Sequence, residues 1–515
     1  MDLSLALLAG ALLALSFPKF GHPACAWLAL TPLIVAVVQS TSGPRPYRRS
    51  FFLGLLTGAV YFSGTLYWLV ETMTTFGGLS APVAVVAAGL LVAYLALFPA
   101  AFAVILARLV RVFGTAALLL APAVWMATEL GRQYVWDGFP WALLGYSQVT
   151  LLPIAQLASL VGVYGLSGLL ALVSAAAALI VVERGRRRYV AAVATLSIVT
   201  GFAAWGTARL HASTLTTAGT PVRAAVIQGN VAQEDKWNPT LADAITRRYI
   251  TMTRQALAQG ATFILWPESS TPFYFEQDLV RGADIRKLAR ESGATLVVGS
   301  DQIEPVQAVA AGKPAPDRTY NAAFLIKPDG SVGAVYRKMH LVPFGEYVPL
   351  KRILFFVGPI VEAVSDFVPG TEATLLPVDS HVASTAICYE VIYGNLMRQF
   401  VLEGSQLLTT ITNDAWYGAS SAAFQHWDQA SMRAIENGRY LARAANTGIS
   451  GFVDPYGRVL AKSQLFEQTL LVADLRFLDV RTLYSRIGDL VAWLSLALTA
   501  AALLATKHDK MKLSV

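Results

Sequence analysis

Seven long apolar runs crowd the first 210 positions of a 515-residue chain, near residues 3–20, 24–41, 51–73, 81–108, 113–131, 157–182 and 189–208. A helix needs roughly 20 mostly apolar residues to cross a bilayer. An eighth run, "LVAWLSLALTAAALLA", lies at about 488–506. Between the seventh and the eighth the composition changes to that of a water-soluble domain. Over the whole chain 55% of residues are hydrophobic and only 14% charged, where a soluble protein carries about 25% charged residues. The expected organisation is therefore a membrane domain over 1–210, an extracytoplasmic domain over 211–486, and an eighth span with its tail over 487–515. The first run has no basic start and other apolar runs follow it, so it reads as a retained span and not as a cleaved leader.

Lysine and arginine set the orientation, because cytoplasmic loops are enriched in them. Arg45, Arg48 and Arg49 follow the second run, Arg108 and Arg111 the fourth, and Arg184, Arg186, Arg187 and Arg188 the sixth. Lys507, Lys510 and Lys512 follow the eighth, whereas the alternate loops hold little beyond Lys19 and Arg132. This parity predicts both termini in the cytoplasm and the 210–487 segment outside. Much of the net charge of +7 is then topological, and no nucleic-acid partner is expected. Among the outside loops, "YVWDGFPWALLGYSQ" is rich in aromatic residues, with Trp136, Phe139, Trp141 and Tyr146. Such residues form an interfacial belt or a wall of a lipid-facing site.

From about residue 220 short β-rich runs alternate with amphipathic stretches. The runs lie at 222–231, 261–269, 294–300, 321–330, 332–338, 384–390, 407–414 and 449–457, with helical patterns at 240–258 and 424–444. That alternation predicts a layered α/β domain with buried strands. "KPDG" between two of the runs is a hairpin signal. The histidines are scattered and none sits at zinc-site spacing from a cysteine, so neither a metal nor another cofactor is expected.

Three of the strand ends carry reactive side chains: Glu268 after "FILWP", Lys338 after "AVYR" and Cys388 after "STAI". Taken singly each has a plainer reading. A buried cysteine is usually a small hydrophobe, and a lone glutamate or lysine at a strand end is usually a solvated group. Together they supply complementary chemistry. A free thiol is mostly protonated at neutral pH, a nearby carboxylate can take its proton, and an ammonium favours the thiolate and an oxyanion. Cysteine, base and cation make an acyl-transfer centre without histidine. A Cys–His alternative would use His340 or His426, although nothing in their surroundings singles either out.

"WPES", "YRKMHLVPFGEYVP" and "ICYE" resemble the Glu-Lys-Cys motifs of the nitrilase, or carbon–nitrogen hydrolase, superfamily. "HLVPFGEYVP", "NDAWYG" (413–418), "RAIENGRYLARAANTGISG" (433–451) and "GFPW" are more specific and resemble the bacterial apolipoprotein N-acyltransferases over essentially the whole chain. The resemblance implies an α/β fold plus a membrane helical bundle: a nitrilase-type α-β-β-α sandwich on eight transmembrane helices in the bacterial inner membrane. It implies transfer of an acyl chain from a glycerophospholipid, typically phosphatidylethanolamine, to the N-terminal amine of a diacylated apolipoprotein. Glu268 then matches the general base, Lys338 the oxyanion-stabilising cation and Cys388 the nucleophile. Glu346 matches a further carboxylate, Tyr389 and Glu390 residues beside the nucleophile (the Tyr389 N–H as a second oxyanion donor), and Trp237, Asn321 and Trp416 positions around the site. The Ala- and Pro-rich stretch between Ser300 and Asn321 looks lengthened.

The segment at 349–364, with Leu354, Phe355, Phe356 and Val357 beside Lys351 and Arg352, reads as a core helix or as a lid dipping into the lipid interface. Two rival functions are a membrane-anchored amidase and a non-enzymatic transporter or scaffold. The apolar bundle argues against the first, since a soluble substrate needs none. The scarcity of charges in the runs argues against the second. Nothing in the sequence demands more than a monomer.

Overall fold

Buried β-rich runs bounded by turn residues become the strands of two mixed sheets. The computed structural model describes all residues except 137, 306–316, 344, 348–366 and 513–515. The first sheet contains β1 (Thr220–Gln228), β2 (Phe263–Leu265), β3 (Thr295–Glu304), β4 (Arg318–Ile326) and β5 (Val332–Arg337). The second contains β6 (Leu376–Val378), β7 (His381–Ile387), β8 (Leu407–Thr412), β9 (Leu441–Ala445), β10 (Gly451–Val453) and β11 (Val459–Lys462), while β12 (Thr469–Phe477) returns to the first. Strand order is β12-β1-β2-β3-β4-β5 in one sheet and β11-β10-β9-β8-β7-β6 in the other. In each sheet three central strands run parallel, β1 to β3 and β7 to β9, and the flanking pairs are antiparallel.

Alternation along the strands builds the layers, since successive side chains leave opposite faces. Ala225, Ile227 and Ile264 pack with Ile245, Met252 and Ile285 of helices Ala242–Ala258 and Leu279–Ser292. Their neighbours Ala224, Val226, Phe263 and Leu265 belong to the core shared with Ala383, Ala386, Leu408 and Ile411 of the second sheet. Helix Ala422–Asn437 packs on β9 and, on its other side, on the apolar helix Ala158–Val182. The α/β layers therefore rest on the apolar half through this helix.

Four expected elements shift, the first being the run at 261–269, which shortens to β2 (Phe263–Leu265). The run at 424–444 is helical only to Asn437, where Gly438 takes the left-handed conformation (φ +60°) that ends helices; Leu441–Ala445 is strand β9. The strand expected at 384–390 stops at Ile387, and Cys388–Ile392 turns as a short 3-10 helix. The run at 449–457 shortens to β10. "KPDG" does form the hairpin between β4 and β5, with Gly330 N–H donating to the Lys327 carbonyl at 2.8 Å.

The eight expected crossings are the larger difference. Among the described residues five helices are long and apolar enough to cross a membrane, or six if the pair Pro46–Leu66 and Trp68–Thr75, bent by 51°, counts as one span. The first run yields only Asp2–Ala14, 13 residues, or about 20 Å of helix at 1.5 Å per residue. The runs at 81–108 and 113–131 lie in one helical stretch, Ala81–Tyr134. That stretch folds back on itself beyond Gly114 (φ +66°). The Tyr94 hydroxyl donates to the Val135 carbonyl at 3.0 Å, and Phe102 meets Trp125 with ring centroids 5.2 Å apart.

Small residues let the apolar helices approach closely. A Cβ at Gly54 would lie 2.4 Å from the Pro99 carbonyl oxygen, and one at Gly58 2.6 Å from the Ala96 Cα. Helix Arg187–Ala212 instead buries only Thr195 and Gly206 and exposes Val190, Val193 and Leu196, the surface expected against lipid. The segment at 349–364, expected as a core helix or a lid, lies outside the described residues.

Candidate active site

Parallel strands deliver their following residues to one edge of a sheet, so the ends of β2, β7 and β8 gather Glu268, Cys388 and Asn413 where the two sheets meet. Glu268 is buried, and its carboxylate is fully engaged. Oε1 accepts from Asn321 Nδ2 at 2.7 Å and from Lys338 Nζ at 3.4 Å, and Oε2 accepts from the Asn413 backbone N–H at 2.9 Å. Burial opposes its ionisation, but Lys338, Lys236, the Asn321 amide and the Asn413 N–H outweigh burial and hold Glu268 below the usual carboxylate range.

Lys338 follows β5 and is almost wholly buried. Its ammonium also donates to Glu346 Oε1 at 2.8 Å. Burial disfavours the cation, yet Glu346 and Glu268 more than compensate and hold Lys338 protonated far above ordinary pH. Glu346 also accepts from Asn321 Nδ2 at 2.9 Å and from the Val342 N–H at 2.7 Å. Asn321, on β4, thus bridges the two glutamates with one amide nitrogen.

Cys388 begins the turn after β7 with φ +53°, a left-handed conformation uncommon for a residue with a Cβ. Burial and the charge of Glu268 push its thiol well up, against the pull of Lys338. The thiol is therefore protonated beside an ionised Glu268 and a cationic Lys338. Glu390, fully buried, braces this turn. Oε2 accepts from the Ile387 N–H at 2.7 Å, and Oε1 accepts from the Met339 and His340 N–H groups at 2.6 and 3.1 Å and from the Tyr336 hydroxyl at 2.8 Å. One side chain thereby ties the thiol's turn to the segment that begins with Lys338. Burial pushes Glu390 up to about 7 against these donors.

Of the residues expected at the site, Glu268, Lys338, Cys388, Glu346, Asn321, Tyr389 and Glu390 converge. Trp237 and Trp416 are instead half-exposed, at 43% and 39%, and pack on other groups. Trp237 lies against Tyr274 with ring centroids 6.1 Å apart. Trp416 sits edge-on to Phe76 at 5.4 Å, and its carbonyl accepts from the Thr72 hydroxyl at 2.9 Å. The aromatic loop divides its labour. Trp136 is exposed and stacks on Tyr94, whereas Trp141 and Tyr146 are buried against the catalytic layers, and Phe139 stacks on Tyr389 with centroids 6.4 Å apart. The site is walled partly by the apolar half of the chain.

Sequence reasoning passed over Lys236 and Asn413. Lys236, beside Trp237 in "KWNP", is buried and donates to the Glu268 carbonyl at 3.0 Å. Burial pulls it down to about 8 against the attraction of Glu268 and Asp301. A lysine immediately before a tryptophan in a loop carries no period to flag it. Asn413 was within reach, since it opens the quoted motif "NDAWYG".

Two family models match the chain. Residues 9–176 match "Apolipoprotein N-acyltransferase N-terminal domain" and residues 223–484 match "Carbon-nitrogen hydrolase". A Geobacter metallireducens protein named apolipoprotein N-acyltransferase is 39% identical over 505 residues, covering 96% of this chain and 93% of that one. A protein of the same name from Methylococcus capsulatus is 34% identical over 508 residues, covering 96% and 94%. Among solved structures, a Nesterenkonia amidase of the nitrilase superfamily aligns with TM-score 0.40 at 24% identity, over 53% of this chain and 97% of that one.

Proposed function

This chain belongs to the apolipoprotein N-acyltransferase family, and on that premise we propose that it moves a fatty acyl group from a glycerophospholipid, phosphatidylethanolamine foremost, to the N-terminal amine of a diacylated apolipoprotein. The observation that carries the reading is a buried Glu268 carboxylate, hydrogen-bonded to Lys338, Asn321 and Asn413, at the sheet edge where buried Cys388 begins its turn.

The exchange has two halves. Glu268 takes the thiol proton as the sulfur of Cys388 attacks a phospholipid ester carbonyl. Lys338 and the Tyr389 N–H receive the oxyanion, each such donor contributing about 3–4 kcal/mol to the barrier when lost. Collapse breaks the ester C–O bond, Glu268 returns its proton to the departing lysophospholipid oxygen, and a thioester remains on Cys388. The acceptor amine then attacks that thioester, Glu268 takes a proton from it, and the thiol is regenerated. Glu346 and Asn321 hold Lys338 and Glu268 in register. Aromatic side chains of the apolar half wall the site and keep water from the thioester, which favours transfer over hydrolysis.

On this reading the eight apolar runs cross the inner membrane, the short Asp2–Ala14 helix and the two arms of Ala81–Tyr134 counting separately. The site then lies on the periplasmic side, with both termini in the cytoplasm and the chain acting as a monomer. A cysteine at Leu279, 79% exposed, is expected to react with an impermeant maleimide in intact spheroplasts, and one at Arg186 only after lysis. The chemistry is tested with a labelled phospholipid and a diacylated lipopeptide. The intact chain should transfer label and show an acyl adduct on Cys388 by mass spectrometry. Turnover by Cys388→Ala, or release of ammonia from a short amide with no transfer to the lipopeptide, would overturn the proposal.

A further inference from the structure

His426 lies directly behind the nucleophile and takes no part in the chemistry described above. It belongs to helix Ala422–Asn437 and is completely buried. Its Nε2 lies 3.1 Å from the Cys388 carbonyl oxygen, and its Nδ1 lies 2.9 Å from Arg443 Nη2 and 3.1 Å from Asp414 Oδ1. A carbonyl can only accept, so Nε2 carries the proton and donates. Nδ1 faces both a donor, Arg443 Nη2, and an acceptor, the Asp414 carboxylate, so it is the Nε2 proton that the surroundings assign. Burial and the Arg443 charge both lower the imidazole's affinity for a second proton, against the pull of Asp414.

The surroundings leave the ring no other position. Asp414 Oδ2 accepts from Arg443 Nη2 at 2.9 Å, its Oδ1 accepts from the Thr412 hydroxyl at 2.8 Å, and Arg443 Nε donates to the Ile449 carbonyl at 3.1 Å. Trp141 from the apolar half lies over the imidazole with centroids 5.7 Å apart, and Tyr417 meets it edge-on at 6.0 Å. Cys388 itself holds a left-handed backbone (φ +53°), a conformation that persists only where the surroundings over-determine it. Glu390 grips the N–H just before this residue, and His426 grips the carbonyl of the residue itself.

We propose that His426 is a positioning residue that fixes the Cys388 peptide in its left-handed turn and so aims the sulfur between Glu268 and Lys338. It is not the base for the thiol, because Nε2 is turned to the Cys388 carbonyl and Nδ1 to Arg443 and Asp414. The inference rests on Cys388 being the nucleophile and adds to that reading the residue that sets its geometry.

The test uses the full-length protein in detergent with two polar replacements that differ in reach. The amide nitrogen of His426→Gln falls near the former Nε2 and can still donate to the Cys388 carbonyl. That of His426→Asn falls near Nδ1 and cannot. Formation of the Cys388 thioester from labelled phospholipid is followed by mass spectrometry, with melting temperature as a check on folding. His426→Gln should keep most of the acylation rate. His426→Asn should lose about 100-fold, the cost expected of a misplacement near 1 Å, in kcat with KM for phospholipid unchanged. Equal rates for the two variants at any common level, including equal and complete loss, would overturn the inference, as would a loss confined to KM. Cys388→Ala run alongside separates the two claims: label transfer by that variant removes the nucleophile assignment, whereas its inactivity leaves the Gln–Asn comparison to decide on His426 alone.

Discussion

Two lysines favour the Glu268 carboxylate alongside the Asn321 amide and the Asn413 N–H, and the contributions of the lysines can be separated. Lys338 lies within 3.4 Å of its Oε1, while Lys236 acts from behind through the main chain. Each cation favours the carboxylate, so removing one raises the pKa of Glu268. Lys236→Met is therefore expected to move the acidic limb of the pH profile for Cys388 acylation toward higher pH. The rate below neutrality should fall more than the rate above it, as checked by rapid-quench measurement of the acyl-enzyme across pH. A profile lowered equally at every pH would mean that Lys236 acts only by packing. Glu268, Lys338 and Cys388 were legible from sequence because each follows a strand, and strand ends are fixed by hydrophobic pattern. Lys236 was not, because its loop has no period and only its bond to the Glu268 carbonyl fixes where it goes.

At the scale of elements, β3 passes so close to the turn carrying Glu268 that only glycine fits. A Cβ on Gly299 would lie 2.2 Å from the Pro267 carbonyl oxygen and 2.8 Å from the Glu268 Cα. Both are backbone atoms and cannot swing aside. The Gly299 carbonyl also accepts from the Ser270 N–H at 2.8 Å, so the strand is the mould for the turn. Gly299→Ala should displace Glu268 and lower acylation about 100-fold, with an overpacking cost of about 1–3 kcal/mol in stability. Acylation and thermal melting measured on the same preparation check both, and full activity would show that the turn relaxes freely. The apolar pattern at 294–300 marked the start of β3, which continues to Glu304. It could not reveal that Gly299 serves as a spacer, since nothing local to "VVGS" names the neighbouring strand.

Across the whole molecule, the two halves meet through buried polar groups as well as apolar surface. Helix Ala158–Val182 is broken at Gly162 (φ +68°), and the freed Val163 N–H donates to Glu436 Oε1 at 2.9 Å. Glu436 in turn pairs with fully buried Arg433 at 3.2 Å, and Arg433 Nη2 donates to the Tyr146 hydroxyl at 2.7 Å. A catalytic-layer helix thereby completes the hydrogen bonding of an apolar helix. Glu436→Leu strands a guanidinium and an N–H away from water. The loss expected on breaking such a pair is about 3–5 kcal/mol, read as a lower melting temperature in detergent, and an unchanged melt would show that the interface is held by apolar packing alone.

By itself, the sequence determined that an apolar half carries a layered α/β half, and which three strand ends bear a carboxylate, an ammonium and a thiol. Those properties depend on local periodicity and on residue type, and both are written along the chain. The tertiary structure alone decided that Cys388 lies in a left-handed turn, that Lys236 and His426 support the site from behind, and how the apolar runs pair and bend into helices. Each of these is set by close approach between segments far apart in sequence, where a missing Cβ or a single accepting carbonyl determines the fit, and no local pattern encodes such a meeting.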